Sequence, residues 1–362
     1  MKRFIGFEHG MGIGGWLTNY KRFNVLPLDR RLCLTVGDME HFESYITERD
    51  VKYIASLGMD HIRLGFDQIV LESEPYVYRE NIFTIIDNFI TWCKKYGLND
   101  VLNLHKAIGN YCDIKEDVEL LDDDGLQRRF TALWLAFEER YKDDNSVAFE
   151  LLNAVRDVDP EKWNALADRT VKALREKNKE RKLIIGSTCW NSPRTLKHLR
   201  IFDDENIIYT CHIYEPFEFT HQQGVLQHEP LYYNRKMPYP GDIERYRDYN
   251  RVVHGNDSSY EKYSVMDIEF MRDTLKGAAE FAAAHPDKIL WCGEFGTIRH
   301  ANIKWRENWM RDVISVLKEN DIPYCVWNYL STPNDGNRFS LVDDDKREIL
   351  SEEMASIIRG EV

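Results

Sequence analysis

The sequence predicts a single α/β domain built as a closed (β/α)8 TIM barrel, and three observations predict it. The chain is 362 residues long, enough for one barrel of the usual size, about 250 residues or more, or for two ordinary domains. Eight short apolar runs alternate with helical stretches along its length, a rhythm that suits either a closed barrel or an open doubly wound sheet. Polar residues fit for chemistry collect at the C-terminal ends of those runs, where a barrel assembles its site from several strands. The count of eight and this placement favour the barrel.

The strand runs are Gly12–Trp16, His61–Phe66, Val101–Leu104, Val147–Asn153, Leu183–Gly186, Ile207–Tyr214, Ile289–Phe295 and Tyr324–Tyr329. They are rich in β-branched and aromatic residues, as strands are. Between them, Thr47-Glu48-Arg49-Asp50 opens a helix in the manner of a capping box, and Val51, Ile54, Ala55 and Leu57 continue it at helical spacing. Residues 81–96, 125–141, 160–178, 265–285, 303–319 and 346–358 read as helices too, with Pro160 suited to the first helical position. The link between the fifth and sixth strands holds only a short helix near Thr195–Leu199. Residues 1–362 are thus read as one domain with a long insertion, 214–263, after the sixth strand. Its aromatic content (Tyr214, Phe217, Phe219, Tyr232, Tyr233, Tyr239, Tyr246, Tyr249, Tyr260, Tyr263) argues against disorder. A substrate-cleft wall is expected there, with a satellite pack against the barrel as the alternative.

Gly10-Met11-Gly12-Ile13-Gly14-Gly15 fits G-x-G-x-x-G, but Trp16-Leu17-Thr18-Asn19-Tyr20-Lys21 follows without helical periodicity. A dinucleotide site needs that glycine turn to open a helix. The run is better read as a first barrel strand whose glycines let the backbone approach a ligand and set Trp16 at the rim. No cofactor is expected. No H-E-x-x-H occurs, and Gly336 alone does not make a phosphate turn.

Composition narrows the partners. Acids outnumber bases 61 to 48, a net charge of −13, so the chain has no global attraction for nucleic acid. It contains no run of 18 apolar residues, so no membrane span is expected. Met1-Lys2-Arg3 is basic, yet Phe4-Ile5-Gly6-Phe7-Glu8-His9 is no signal core. A cytoplasmic location is expected, or secretion if a signal was removed. The seven cysteines (33, 93, 112, 189, 211, 292, 325) are odd in number and widely spaced, and are read as buried thiols. Nothing in the sequence indicates an oligomeric state.

Two strand ends carry the strongest chemical signal. Glu294 ends an apolar strand between Gly293 and Gly296, a costly place for a carboxylate without a task. Asn153 ends another and is followed by Ala154. With Arg63 in Ile62-Arg63-Leu64-Gly65-Phe66-Asp67, His105 in Leu102-Asn103-Leu104-His105, His212-Ile213-Tyr214, and Trp327, these residues in this order resemble glycoside hydrolase family 5, the cellulase-type barrel enzymes, over nearly the full chain. The resemblance implies Glu294 as nucleophile, oriented by Tyr214 and kept ionised by Arg63. It implies Asn153 on the sugar 2-hydroxyl, His105 and His212 on hydroxyls or bracing the carboxylates, and Trp327 under the sugar ring. Trp16 and Trp190 are weaker platform candidates.

One departure stands out. The family has Asn-Glu where this chain has Asn153-Ala154, and that glutamate is the acid/base. Retaining glycosidases need two carboxyl groups about 5–5.5 Å apart. Glu150 lies four residues back, roughly 13 Å deeper along the strand, too far to substitute. Asp157, Glu215 and Glu218 are weak candidates. Ala154 is therefore expected to stand in for a glutamate, by design or, as the rival, in a natural degenerate homologue, with strongly reduced activity. The expected partner is a β-1,4-linked glucan oligosaccharide or polysaccharide. Mannan, mixed-linkage or β-1,3-glucan hydrolysis, xyloglucan, or non-catalytic glycan binding stay open as alternatives.

Overall fold

The structure is a computed structural model that describes residues 1–20, 33–111, 119–225, 228–256, 260–332, 335 and 337–362. Cys112 and Gly336 lie outside the described residues. Eight parallel strands close into a barrel in chain order: β1 (His9–Leu17), β2 (His61–Asp67), β3 (Asn99–Lys106), β4 (Val147–Glu150), β5 (Leu183–Gly186), β6 (Ile207–Ile213), β7 (Ile289–Phe295) and β8 (Tyr324–Val326), with β8 pairing back to β1. β1 starts earlier than its apolar run suggested. β4 and β8 stop earlier, because their last residues leave the ladder to form the rim: the Asn153 amide donates to the Leu104 carbonyl (2.9 Å) and the Tyr329 amide to that of Gly12 (2.8 Å).

The expected helices surround the barrel, except that the last runs only over Glu352–Ile358, because Ile349 before it pairs with Val342 in an isolated bridge. Glu48–Ser56 begins where Asp50 accepts from the Thr47 amide at 2.9 Å, and Pro160 opens Pro160–Arg175. Residues 265–285 form not one helix but a strand pair partner, Val265–Met266, and two helices, Ile268–Thr274 and Lys276–Ala284. A helix at Val36–Ser44 and a hairpin of Glu72–Glu74 with Val77–Tyr78 are additions to the sequence-based expectation.

Side-chain parity positions the site. Along each strand alternate residues face the barrel interior. Val101, Ala148, Ile184, Ile208, Ile289, Trp291 and Cys325 fill its lower layer with Phe4 and Phe7 beneath. Two residues further up the same inner faces come Asn103 and then His105, Glu150, Thr210 and then His212, and Trp327. The interior thus passes from apolar to polar toward the C-terminal mouth.

β1 is the exception, since Gly10, Gly12 and Gly14 give its inner face no side chains. A Cβ on Gly10 would lie 2.0 Å from the His61 ring, on Gly12 2.8 Å and on Gly14 2.5 Å from the Trp327 indole. The glycine run therefore makes room for an imidazole and an indole, not for a ligand. Its register shifts between Ile13 and Leu17, where Gly15 has φ 75°. That shift turns Trp16 outward, correcting its expected place at the rim. Its indole is fully buried, donates to the Phe42 carbonyl at 2.7 Å and packs edge-on to Phe89. It has no face left for a sugar.

The 214–263 insertion also differs from expectation. It contains helices Phe217–Thr220, His228–Tyr233 and Ile243–His254, and Gly241–Asp242 pairs with Val265–Met266. Tyr233, Tyr239, Tyr246 and Tyr249 are buried. Tyr239 donates to Asp312 at 2.8 Å, and Phe219 lies against Trp309. Most of its rings thus build a satellite core against helix Ile303–Glu319 rather than a cleft wall. Phe217 is half-buried, stacked on His221 at 3.8 Å.

Gly14→Ala should lower stability by about 1–3 kcal/mol, the usual cost of an added methyl in a full core, and displace the Trp327 indole. Urea unfolding with tryptophan emission checks this. An unchanged midpoint and spectrum would show that the strand can yield.

Candidate active site

Arg63 stands at the centre of the site, fully buried on the inner face of β2. Its Nε donates to Glu150 Oε2 (2.6 Å) and its Nη2 to Glu150 Oε1 (3.0 Å), a two-pronged pair. Nη2 also donates to Asn153 Oδ1 (2.6 Å), and Nη1 to Glu294 Oε2 (2.8 Å). Burial opposes the cation, but Glu150 and Glu294 overcome that penalty and hold it protonated. One guanidinium thus fixes a carboxylate of β7, a carboxylate of β4 and the amide beyond β4.

Glu294 reaches this point through a slip in its strand. Trp291 and Gly293 occupy the inner face of β7, so an unbroken strand would turn Glu294 toward the helices. The register with β6 shifts between Cys292 and Glu294, which sets Glu294 beside His212. A bulge re-aims a side chain in this way. The carboxylate is 7% exposed. Its Oε1 accepts from the Tyr214 hydroxyl at 2.5 Å. Burial pushes its pKa up, Arg63 and Tyr214 pull it down, and the Glu150 charge pushes it up again. The net direction is upward: Arg63 pulls toward the ionised form as expected, but burial outweighs it. Burial and the facing Glu294 drive the Tyr214 phenol well above its usual range, so it remains a donor.

The histidines flank this centre as neutral rings, held well below their usual pKa by burial and by the Arg63 charge. His105 Nδ1 lies 2.9 Å from Asn103 Oδ1, and its Nε2 lies 3.2 Å from Asn19 Nδ2 and 3.4 Å from Asn153 Nδ2. This pattern assigns the proton to Nδ1. His212 Nε2 lies 3.2 Å from Asn191 Nδ2. Trp327 lies parallel to His105 (5.3 Å between centroids, 14°), seated over the β1 glycines and 8% exposed. Its peptide bond to Asn328 is cis.

Seven sequence-predicted residues therefore come together: Arg63, His105, Asn153, His212, Tyr214, Glu294 and Trp327. Trp16 does not join them. Ala154 sits just beyond Asn153 with φ 45° and 7% exposure, a left-handed backbone that non-glycine residues adopt at a cost. Of the replacements weighed from the sequence, Glu150, Glu218 and Glu215 are hydrogen-bonded elsewhere. Glu150 is bound to Arg63, and buried Glu218 accepts from Tyr260 at 2.8 Å. Asp157 is exposed and its charge helps push the Cys189 thiol pKa up, and Glu215 Oε2 accepts from the Tyr214 amide at 3.1 Å. Sequence reasoning missed Glu150 as the anchor of Arg63. The available signal was its spacing from Ala148, which puts it on the inner face, where a carboxylate requires a cation. Asn19, Asn103 and Asn191 carried no signal that set them apart from loop or strand asparagines.

The family model for cellulase, glycosyl hydrolase family 5, matches residues 33–332. Endoglucanase C of Acetivibrio thermocellus is 37% identical over 366 residues, spanning 98% of this chain and 98% of its own length. The chain belongs to glycosyl hydrolase family 5. Cellodextrinase A of Ruminococcus flavefaciens is 28% identical over 89% of the chain and 85% of its own length. Among solved structures, endoglucanase Cel5A from Thermotoga maritima superposes with a TM-score of 0.73 at 23% identity, covering 98% of this chain and 97% of that one. At that identity the likeness speaks for the fold, the same closed barrel.

Glu150→Gln keeps the shape of the Arg63 partner and removes its charge. Because that charge raises the Glu294 pKa, the Glu294 carboxyl should titrate at lower pH in the variant. A 13C NMR titration of labelled glutamate measures it; a midpoint that stays or rises would disprove the coupling.

Proposed function

We propose that the chain is a retaining hydrolase of β-1,4-glucan in which Glu294 is the nucleophile and position 154 is the acid/base site, silenced here by alanine. The observation that carries this reading is the Glu294 carboxylate, buried, aimed by a strand bulge, and gripped by Arg63 at 2.8 Å and Tyr214 at 2.5 Å. Trp327 supplies an apolar ring beside it, and the family relatives include proteins named endoglucanases.

In this scheme Glu294 attacks the anomeric carbon and a glycosyl ester forms as the glycosidic C–O bond breaks. Tyr214 and Arg63 fix the attacking oxygens and take up the charge when the ester is later released. Asn153, held by Arg63, binds the 2-hydroxyl, a contact that strengthens in the oxocarbenium-like transition state. Protonating the leaving oxygen and deprotonating the incoming water are the tasks of a carboxyl at 154, and alanine does neither. A glutamate ancestor of Ala154 fits the retention of every other member of the constellation.

Ala154→Glu should raise hydrolysis of cello-oligosaccharides by about 10²–10⁴-fold, the usual worth of a general acid/base. With Ala154 in place, an activated aryl β-cellobioside should still form the glycosyl-enzyme. Azide should then speed turnover by attacking the anomeric carbon and expelling the Glu294 carboxylate, giving a β-glycosyl azide. If Ala154→Glu stays inactive on every β-glycan and no glycosyl-enzyme appears by mass spectrometry, the chain is a glycan-binding protein instead.

The acid limb of glycosylation should report Glu294 directly, since no acid/base group titrates. Attack needs the ionised carboxylate, and burial raises its pKa, so rate should fall away at a higher pH than for an ordinary glutamate. Initial rates with the aryl glycoside against pH check the sign.

A further inference from the structure

The hydrolytic scheme gives no task to Arg156, a charged side chain of the rim. Arg156 lies two residues beyond Ala154 and is 6% exposed. Its Nε and Nη1 are enclosed and hydrogen-bond to nothing among the described residues. The carboxylate next to it in sequence, Asp157, is exposed and forms no ion pair with it. A buried guanidinium without a counter-charge is costly, and it persists where a ligand or a strained site gives it a purpose.

What lies against it is an exposed aromatic ring. The Arg156 guanidinium carbon sits 6.0 Å from the centroid of the Trp190 ring, and Trp190 is 47% exposed. Three consecutive left-handed residues hold this indole out: Cys189 (φ 56°), Trp190 (φ 56°) and Asn191 (φ 58°). The loops after β4 and β5 are stitched together there. The Trp190 amide donates to the Val155 carbonyl at 2.6 Å and the Cys189 amide to that of Arg156 at 3.1 Å. The same wall continues into the catalytic network, since Asn191 meets His212 at 3.2 Å, while its own Oδ1 is enclosed and has no partner among the described residues.

We propose that Arg156 and Trp190 form a subsite for a carboxylate-bearing sugar, a uronic acid unit of an acidic β-glycan, on the leaving-group side of position 154. The assignment to that side rests on the proposed role of position 154, whose carboxyl would protonate the departing oxygen. The chemistry selects the class. A pyranose offers its C–H face to the indole, as neutral sugars do. A hydroxyl would satisfy an Arg156 N–H but leave its charge uncompensated, whereas a carboxylate satisfies both in one charge-assisted contact. With a net charge of −13, the chain repels polyanions at long range, which suits a mostly neutral glycan with isolated acidic units rather than a phosphate polymer.

The Ala154 chain permits a binding test without cleavage. Calorimetry would compare cellotetraose with the same tetrasaccharide carrying glucuronic acid at its reducing end. The acidic sugar should bind about tenfold tighter or more at low salt, and this preference should shrink as salt is raised. In Arg156→Leu the ratio of the two affinities should collapse to near one, with Arg156→Lys between. Equal affinities in the parent chain, or a preference that survives in Arg156→Leu, would overturn the subsite while leaving the glucan reading intact. Failure of the parent chain to bind either sugar would overturn both.

Discussion

A single buried cation organises the upper half of this barrel. Arg63 cannot sit on the inner face of β2 without neutralising partners, since an unpaired guanidinium there would cost several kcal/mol. Glu150 pairs with it edge to edge, and that pair fixes which nitrogens remain for Asn153 and Glu294. The nucleophile candidate is thereby held by a donor that cannot swing away. The cost is borne below, where an apolar layer of Val101, Ala148, Ile184 and Trp291 closes the barrel and keeps water from the charged layer. Two carboxylates share one guanidinium, so neither is fully compensated, and burial can hold Glu294 above its ordinary pKa while Arg63 stays charged.

Much of this was legible in the sequence, because barrel strands announce themselves by apolar runs and the rim by the polar residue that ends each run. Seven site residues were found in this way, and Thr47 and Pro160 marked helix starts by local chemistry alone. Trp16 was misplaced for a physical reason: extrapolating the alternation of Gly10, Gly12 and Gly14 puts it on the inner face, and only the register shift near Gly15 turns it away. Glu294 shows the reverse case. Strict alternation would send it outward, and the slip after Cys292 brings it in. Bulges invert parity without leaving a mark in composition.

Glu150 and the insertion show a second limit. Glu150 was rightly judged too deep for proton transfer, but its depth is what lets it brace Arg63. Its value lies in a partner 87 positions away, which no local pattern reveals. The tyrosines of 214–263 were equally ambiguous, since an aromatic-rich segment can face a sugar or fill a core. Tyr239 and Tyr246 went inward because their hydroxyls find acceptors there, Asp312 and the Pro238 carbonyl.

The glycine face of β1 has a wider consequence. An indole seated against bare backbone leaves no smaller residue to substitute and no room for a larger one, so Gly12 and Gly14 admit no graded change. Any side chain added at either position has to displace the indole. Room for other glycans lies instead in the loops that leave the barrel, such as the turn that exposes Trp190.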